Sequence, residues 1–319
     1  MKLTGREVTQ GLKFPEGPIA MADGSVLVVE IEGARLIRVA RDGVKSVVAE
    51  LGGGPNGAAI GPDEKCYVCN NGGFNWVHAD DGYARPHGRA DQYTGGSIQR
   101  VDLATGAVEL LYTACGEVTL KGPNDIVFDG KGGFWFTDHG KSYGRLMDRG
   151  AVYYAKLDGS FIKEVAFPVI TPNGVGLSPD GGTLYVSETE TGRLWSYPVI
   201  SPGELGKEPW PSPNGGKFLG GPGGYQRFDS MAVEANGNIC VATLVKGGIT
   251  VFSPEGELLE FHEAPEGYCT NICFGGDDMR TAYITLSGYG TLLEVKWPRP
   301  GLKLVHQGGV YGASPHSIR

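Results

Sequence analysis

Long apolar runs are missing from this sequence. No stretch approaches the ~18 residues that a membrane helix needs, so the chain is expected not to cross or enter a membrane. Basic clusters of five or more residues are also missing. A formal net charge of −8 and a pI near 5.3 argue against nucleic acid or an anionic lipid surface as the main partner. The opening residues, Met1 to Glu7, lack the apolar core of an export signal, which leads to the expectation of a cytoplasmic protein. Helical periodicity is absent beyond a turn or two, which leaves an all-β chain. No Gly-x-Ser-x-Gly is present, so a serine nucleophile elbow is excluded.

Cysteine is sparse, at six residues: Cys66, Cys69, Cys115, Cys240, Cys269 and Cys273. Cys66 and Cys69 have the spacing of a zinc or redox pair. They lie inside the strand-like run Cys66-Tyr67-Val68-Cys69, where an odd separation sends the side chains to opposite faces. No second pair follows at zinc-site spacing. Buried free thiols are the expectation.

Glycine is abundant, at 53 residues, and 20 prolines accompany it. These residues punctuate short runs of β-formers, as tight turns require. Residues 172–187 are the clearest unit. Asn173-Gly174-Val175-Gly176-Leu177 alternates, Pro179-Asp180-Gly181-Gly182 turns, and Thr183-Leu184-Tyr185-Val186-Ser187 returns, which describes a β-hairpin. Similar units begin at Glu16, Asn56, Asn124, Asn173, Asp229 and Asn271, at intervals of 40 to 68 residues. A third strand, and usually a weaker fourth, follows each hairpin. Fourth strands are read at 46–48, 108–111, 163–166, 217–219, 258–261 and 302–305, and residues 6–10 are expected to pair with the last unit and close a ring. The reading is a single domain over 1–319: a six-bladed β-propeller with four-stranded antiparallel blades around a central channel. Insertions at 71–95 and 200–227 interrupt the repeat. Both are expected over the mouth that carries the unit starts.

The first strand of each propeller blade lines the channel, so the six polar starts form a ring at one mouth. Asn and Asp suit turns singly. Six in equivalent places, with Glu16 a poor turn former, suit a divalent cation held by carboxylate and amide oxygens, such as Ca²⁺, Mn²⁺, Mg²⁺ or Zn²⁺. Glu16, Asn124, Asn173 and Asp229 are the expected metal ligands, with Asn56 and Asn271 as second choices.

Phe14-Pro15-Glu16-Gly17-Pro18, Pro123-Asn124-Asp125, Pro172-Asn173-Gly174 and Phe228-Asp229-Ser230-Met231 resemble, in order, four landmark motifs of the SMP-30/gluconolactonase family. The resemblance spans nearly the whole chain. It implies a six-bladed propeller with one divalent cation at the channel mouth and hydrolysis of a small-molecule lactone, such as a sugar lactone or a related hydroxy-acid lactone. It matches Glu16, Asn173 and Asp229 to metal ligands, Asn124 to a contact with metal or substrate, and Asp229 to acid/base work. One departure is evident. Sugar-lactone members often carry Arg two residues before the Asn at position 124, and here that residue is Gly122.

The chemistry names Asp229, Asn124 and Asp125 as catalytic candidates, with Asp229 or Asp125 moving the proton of an attacking water. Asn124, Asn56, His139, Trp76 and Arg85 are the substrate-contact candidates. Phe74, Trp76 and Tyr225 are read as an apolar wall, and Arg85, His87, Lys141, Arg145 or Arg227 as holders of a substrate anion. An aryl- or phosphoester hydrolase, or a non-enzymatic propeller with a structural ion, are the alternatives.

Overall fold

The computed structural model describes residues 1–307. Six antiparallel sheets surround a channel, five of them four-stranded and the fourth in chain order five-stranded, and no helix occurs among the described residues. The innermost strands are Pro15–Ala20, Pro55–Ile60, Pro123–Phe128, Pro172–Leu177, Arg227–Val233 and Cys269–Gly275. Each touches the next, and the last touches the first. Arg6–Thr9 pairs with Thr291–Lys296, so the N-terminal segment supplies the outer strand of the sixth blade and closes the ring. Among the described residues, no helix is long and apolar enough to cross a membrane.

The strands sort their side chains between two interfaces, because each blade is covered on both faces. Leu27 and Val29 pack toward the second blade, whereas Val26 and Val28 pack toward the sixth. Cys66 and Cys69 obey the same alternation: Cys66 lies in the interface with the first blade and Cys69 in that with the third. All six cysteines are free. The core is thus six inter-blade layers, one per blade junction.

Two expectations need correction. Residues 302–305 are not a fourth strand, since Arg6–Thr9 already occupies that edge. They run across the far mouth of the channel instead, where Leu302, Leu304 and Val305 border an apolar cavity of about 100 Å³. The insertion at 200–227 does not sit over the ring as a unit. Arg193–Ser201 runs away from the ring, so residues 202–216 lie beyond the opposite end. Lys217–Gly220 returns as the outer strand of the fourth blade, and only 221–227 reach the ring side. The other insertion folds as a hairpin, Phe74–His78 with Ala84–Arg89.

The C-terminal segment is locked by a buried carboxylate. Glu234 is fully buried and accepts from Trp297 Nε1 at 2.7 Å, Arg299 Nε at 2.6 Å and Asn238 Nδ2 at 2.9 Å. Arg299 also makes a two-point contact with Glu260. Removing one partner of a buried ion pair strands the other. Glu234→Gln is therefore expected to cost roughly 3 kcal/mol, read as a lowered urea midpoint; an unchanged midpoint would remove this lock from the account.

Candidate functional site

Every inner strand loses its register with the second strand at the same place. The breaks fall between Glu16 and Ile19, Pro55 and Ala58, Pro123 and Ile126, Pro172 and Val175, Phe228 and Met231, and Cys269 and Asn271. A bulge re-aims side chains, and here it turns the polar residues of all six strands toward the channel. Counting from the ladder, the equivalents of Glu16 are Asn56, Asn124, Asn173, Asp229 and Thr270. Asn271 is one residue further on, in the position of Gly17, Gly57, Asp125, Gly174 and Ser230.

That one-residue offset separates two levels. Glu16, Asn56, Asn124, Asn173 and Asp229 line a cavity of about 260 Å³ at the ring mouth. Asp125 and Asn271 border the apolar channel cavity below it. Asp125 accepts from the Ile126 N–H at 2.9 Å and the Val175 N–H at 3.2 Å, so its carboxyl ties the third blade to the fourth. It is therefore not placed as the catalytic base expected from the sequence. Asn271 is not a ligand candidate either. Its Oδ1 accepts from the Ile272 N–H, and its Nδ2 donates to Glu16 Oε2 at 2.7 Å, which fixes that carboxylate.

The upper ring presents unsatisfied oxygen. Asn124 Oδ1 is buried with no hydrogen-bond partner. Asn173 Oδ1 accepts a 3.3 Å bond from Ser230 Oγ, and its Nδ2 donates to Thr189 Oγ1 at 3.0 Å. Burial drives the Glu16 carboxyl above the usual range, against hydrogen bonds from Asn271 and Gly17. Burial, then the nearby Glu16 charge, drives Asp229 well above it. A buried and a half-buried carboxyl with an orphaned amide oxygen around one cavity fit a hard divalent cation, whose charge would reverse both shifts. No group of three His, Cys, Asp or Glu side chains placed to hold a metal occurs among the described residues. The donor set is thus two carboxylates completed by amides.

The wall above the ring has two characters. Leu244, Tyr268, Phe14, Ile31, Phe74 and Pro86 form an apolar arc across the fifth, sixth, first and second blades. His139, Lys141, Thr189, Glu190 and Arg227 form the polar arc from the third to the fifth. His139 lies at the cavity, as expected. Burial first, then the Lys141 and Arg227 charges, hold its imidazole down to about 4. Trp76 is not in the wall; it backs Phe14 and Phe74, with ring centroids 4.9 and 6.3 Å away. Arg85 is also outside the wall, exposed on the insertion hairpin opposite Val77. His87, Arg145 and Tyr225 are likewise exposed and away from the lining. Gly122 does border the cavity, but a Cβ there would lie 2.6 Å from the Gly140 carbonyl oxygen, so the position is closed to an arginine without backbone movement.

The polar residues that shape the loops escaped the sequence reading. Asp138 accepts from the N–H groups of Lys121, Gly122 and Gly140, which folds the loop carrying His139 and Lys141. Asn70 takes the N–H groups of Gly54 and Gly72, Glu30 that of Lys13, and Glu188 that of Ile170. Each ends a second strand opposite Pro123, Pro55, Pro15 or Pro172. The signal was present: an acid or amide closes four of the six return strands.

Comparison with known proteins gives the family and the fold. The chain is 27% identical over 249 residues to lactonase drp35 of Staphylococcus haemolyticus, covering 77% of this chain and 68% of that protein. It is 24% identical over 305 residues to the gluconolactonase of Zymomonas mobilis, covering 88% and 78%. A 30% identical match to the 6-deoxy-6-sulfogluconolactonase of Pseudomonas putida covers 56% of this chain and 59% of that protein. Among solved structures, the calcium-binding protein regucalcin of Agrobacterium tumefaciens superposes with a TM-score of 0.71 at 21% identity, over 95% of this chain and 99% of that one. The gluconolactonase of Xanthomonas campestris superposes with a TM-score of 0.70 at 23% identity, over 91% and 88%; these two likenesses establish the fold. The profile of the SMP-30/gluconolactonase/LRE-like region matches residues 14–288, and the chain belongs to that family.

Proposed function

We propose that this chain is a divalent-cation-dependent lactonase that opens a cyclic ester to its hydroxy acid at the ring mouth. The observation that carries the reading is the convergence of buried Glu16, half-buried Asp229 and the unpartnered Asn124 Oδ1 on one cavity. The names of the relatives, lactonase and gluconolactonase, support a lactone and put sugar lactones first for assay.

Glu16, Asn124, Asn173 and Asp229 would hold the cation, which is Ca²⁺, Mn²⁺, Mg²⁺ or Zn²⁺. Such an ion supplies Lewis acidity toward the ester carbonyl and lowers the proton affinity of a neighbouring water. The protein's own groups do the rest. Glu16 and Asp229 supply two negative charges, and Asn271 keeps Glu16 in place. Asp229 receives the proton of the attacking water as the new C–O bond forms. It returns that proton to the ring oxygen as the old C–O bond breaks, so atoms and charge balance. His139, held neutral, lies on the polar arc with one ring nitrogen, Nδ1, 3.4 Å from the Gly140 carbonyl. The apolar arc covers the opposite side of the substrate ring and limits water there.

Chelation and desalting should lower hydrolysis of a lactone panel at least ~10²-fold, with recovery when divalent cation is restored. Activity indifferent to chelation would exclude the reading. Asp229→Asn keeps one oxygen donor but loses charge and the proton acceptor. Its rate should remain about 10²–10⁴-fold low even at saturating cation; full rescue by excess cation would leave Asp229 a ligand alone. Asn271→Ala frees Glu16, and cation affinity measured by titration calorimetry should fall about 10–100-fold, whereas wild-type affinity would show that Glu16 needs no such anchor.

A further inference from the structure

Every lactone brings acceptors to the cavity, its carbonyl and ring oxygens. Those oxygens, or water, can answer the orphaned donors of the wall, Asn71 Nδ2 and Arg227 Nε, which are buried with no acceptor. They cannot answer an acceptor, and the wall holds one. His139 is half-buried and borders the cavity. Its Nδ1 lies 3.4 Å from the Gly140 carbonyl oxygen, which can only accept, so the proton of the neutral ring belongs on Nδ1. Nε2 then carries a lone pair, and it has no hydrogen-bond partner among the described residues.

The loop around His139 holds that ring in place. The Asp138 carboxylate takes the N–H groups of Lys121, Gly122 and Gly140. The His139 N–H donates to the Gly122 carbonyl at 2.9 Å. Two residues on, the Lys141 carbonyl accepts from the Asp148 N–H at 2.9 Å, and the Lys141 N–H donates to Asp148 Oδ2 at 3.3 Å. Glycine permits the close approach. A Cβ at Gly122 would lie 2.6 Å from the Gly140 carbonyl oxygen, and one at Gly140, whose φ is +74°, would lie 2.8 Å from that of Asp148. A side chain fixed in this way suits recognition. Proton transfer suits it less, because a ring held down to about 4 is a poor base toward water at neutral pH.

We propose that His139 Nε2 accepts a hydrogen bond from a hydroxyl on the lactone ring and so sets the preference for hydroxylated over unsubstituted lactones. This rests on the lactone reading of the same cavity and adds the residue that reads the substituent. An unsubstituted lactone would displace water from Nε2 and offer no donor in return, which leaves a desolvated acceptor. A site built to pair with a hydroxyl rejects the analogue that lacks it for this reason. The apolar arc from Leu244 to Phe74 meets the ring carbons of either lactone alike and does not discriminate.

The first test is the tautomer, read by long-range ¹⁵N NMR at neutral pH on the protein loaded with a diamagnetic cation, with the His139 signals assigned by their loss in His139→Gln. A protonated Nδ1 and a bare Nε2 are expected; a proton on Nε2 overturns the proposal. The second is selectivity. The ratio of kcat/KM for glucono-δ-lactone over that for δ-valerolactone should fall about ten-fold in His139→Phe, and His139→Gln, which keeps an acceptor, should recover part of it. An unchanged ratio overturns the proposal, because a ring that only shapes the loop or moves a proton would slow both lactones alike. The tautomer also decides if His139→Phe fails to fold. Turnover of neither lactone by the wild-type protein contradicts the lactonase reading alone. Calorimetric binding of 1,5-anhydroglucitol, a hydroxylated ring that cannot be hydrolysed, then tests His139 by itself: affinity about ten-fold lower in His139→Phe supports the contact, and equal affinity overturns it.

Discussion

Everything at the ring mouth follows from one interruption of the β ladder. For one or two residues, each inner strand stops pairing with its neighbour, and the freed backbone groups must find other partners. Side chains provide them across blade boundaries. The Asp125 N–H goes to Thr137 Oγ1, whose hydroxyl reaches the Asn173 carbonyl of the next blade. The Gly174 N–H goes to Ser187 Oγ, whose hydroxyl reaches the Asp229 carbonyl. Ser287 Oγ reaches the Pro15 carbonyl at the ring's closing junction. The residues that aim at the cavity are thus held by blades other than their own. Such support from rigid neighbours is what a preorganised site requires.

Close packing explains why half of the level below the ring is glycine: Gly17, Gly57 and Gly174. A Cβ at Gly17 would lie 2.6 Å from the Asn56 carbonyl oxygen, and one at Gly57 would lie 2.4 Å from that of Asn124. Where a side chain does occur at that level, it works as a brace. Asp125 ties the fourth blade, Ser230 donates to Asn173, and Asn271 donates to Glu16. The upper ring can leave Asn124 Oδ1 unsatisfied because the lower level carries the structural load.

Much of this was legible in the sequence. The hairpin at 172–187, its recurrence and the polar starts lead directly to six blades and to Glu16, Asn124, Asn173 and Asp229 at one cavity. The errors have physical causes. Asn271 looked like the sixth start because an amide followed by an apolar strand matches Asn173, yet the bulge puts Thr270 at that level. Asp125 looked catalytic because its neighbour Asn124 is in the ring, yet the one-residue offset puts Asp125 at the level below, where it ties the third blade to the fourth. The fourth strand expected at 217–219 is present as Lys217–Gly220, but the stretch 200–227 around it does not lie at the ring as a unit, because the strand before it runs away from the ring. Trp76 and Arg85 were chosen by residue type within the right hairpin, and a hairpin's register cannot be fixed when neither face shows clear alternation. The orphaned donors of Asn71 and Arg227 depend on loop geometry that no local pattern encodes.

The central claim is that the ring of Glu16, Asn124, Asn173 and Asp229 binds one divalent cation. Anomalous diffraction from crystals soaked in Mn²⁺ tests it most directly. The account predicts a single strong peak among the side-chain oxygens of those four residues, lost when Glu16 and Asp229 are both replaced by their amides. No peak there, or a peak only in the apolar channel below, beside Asp125 and Asn271, would contradict it.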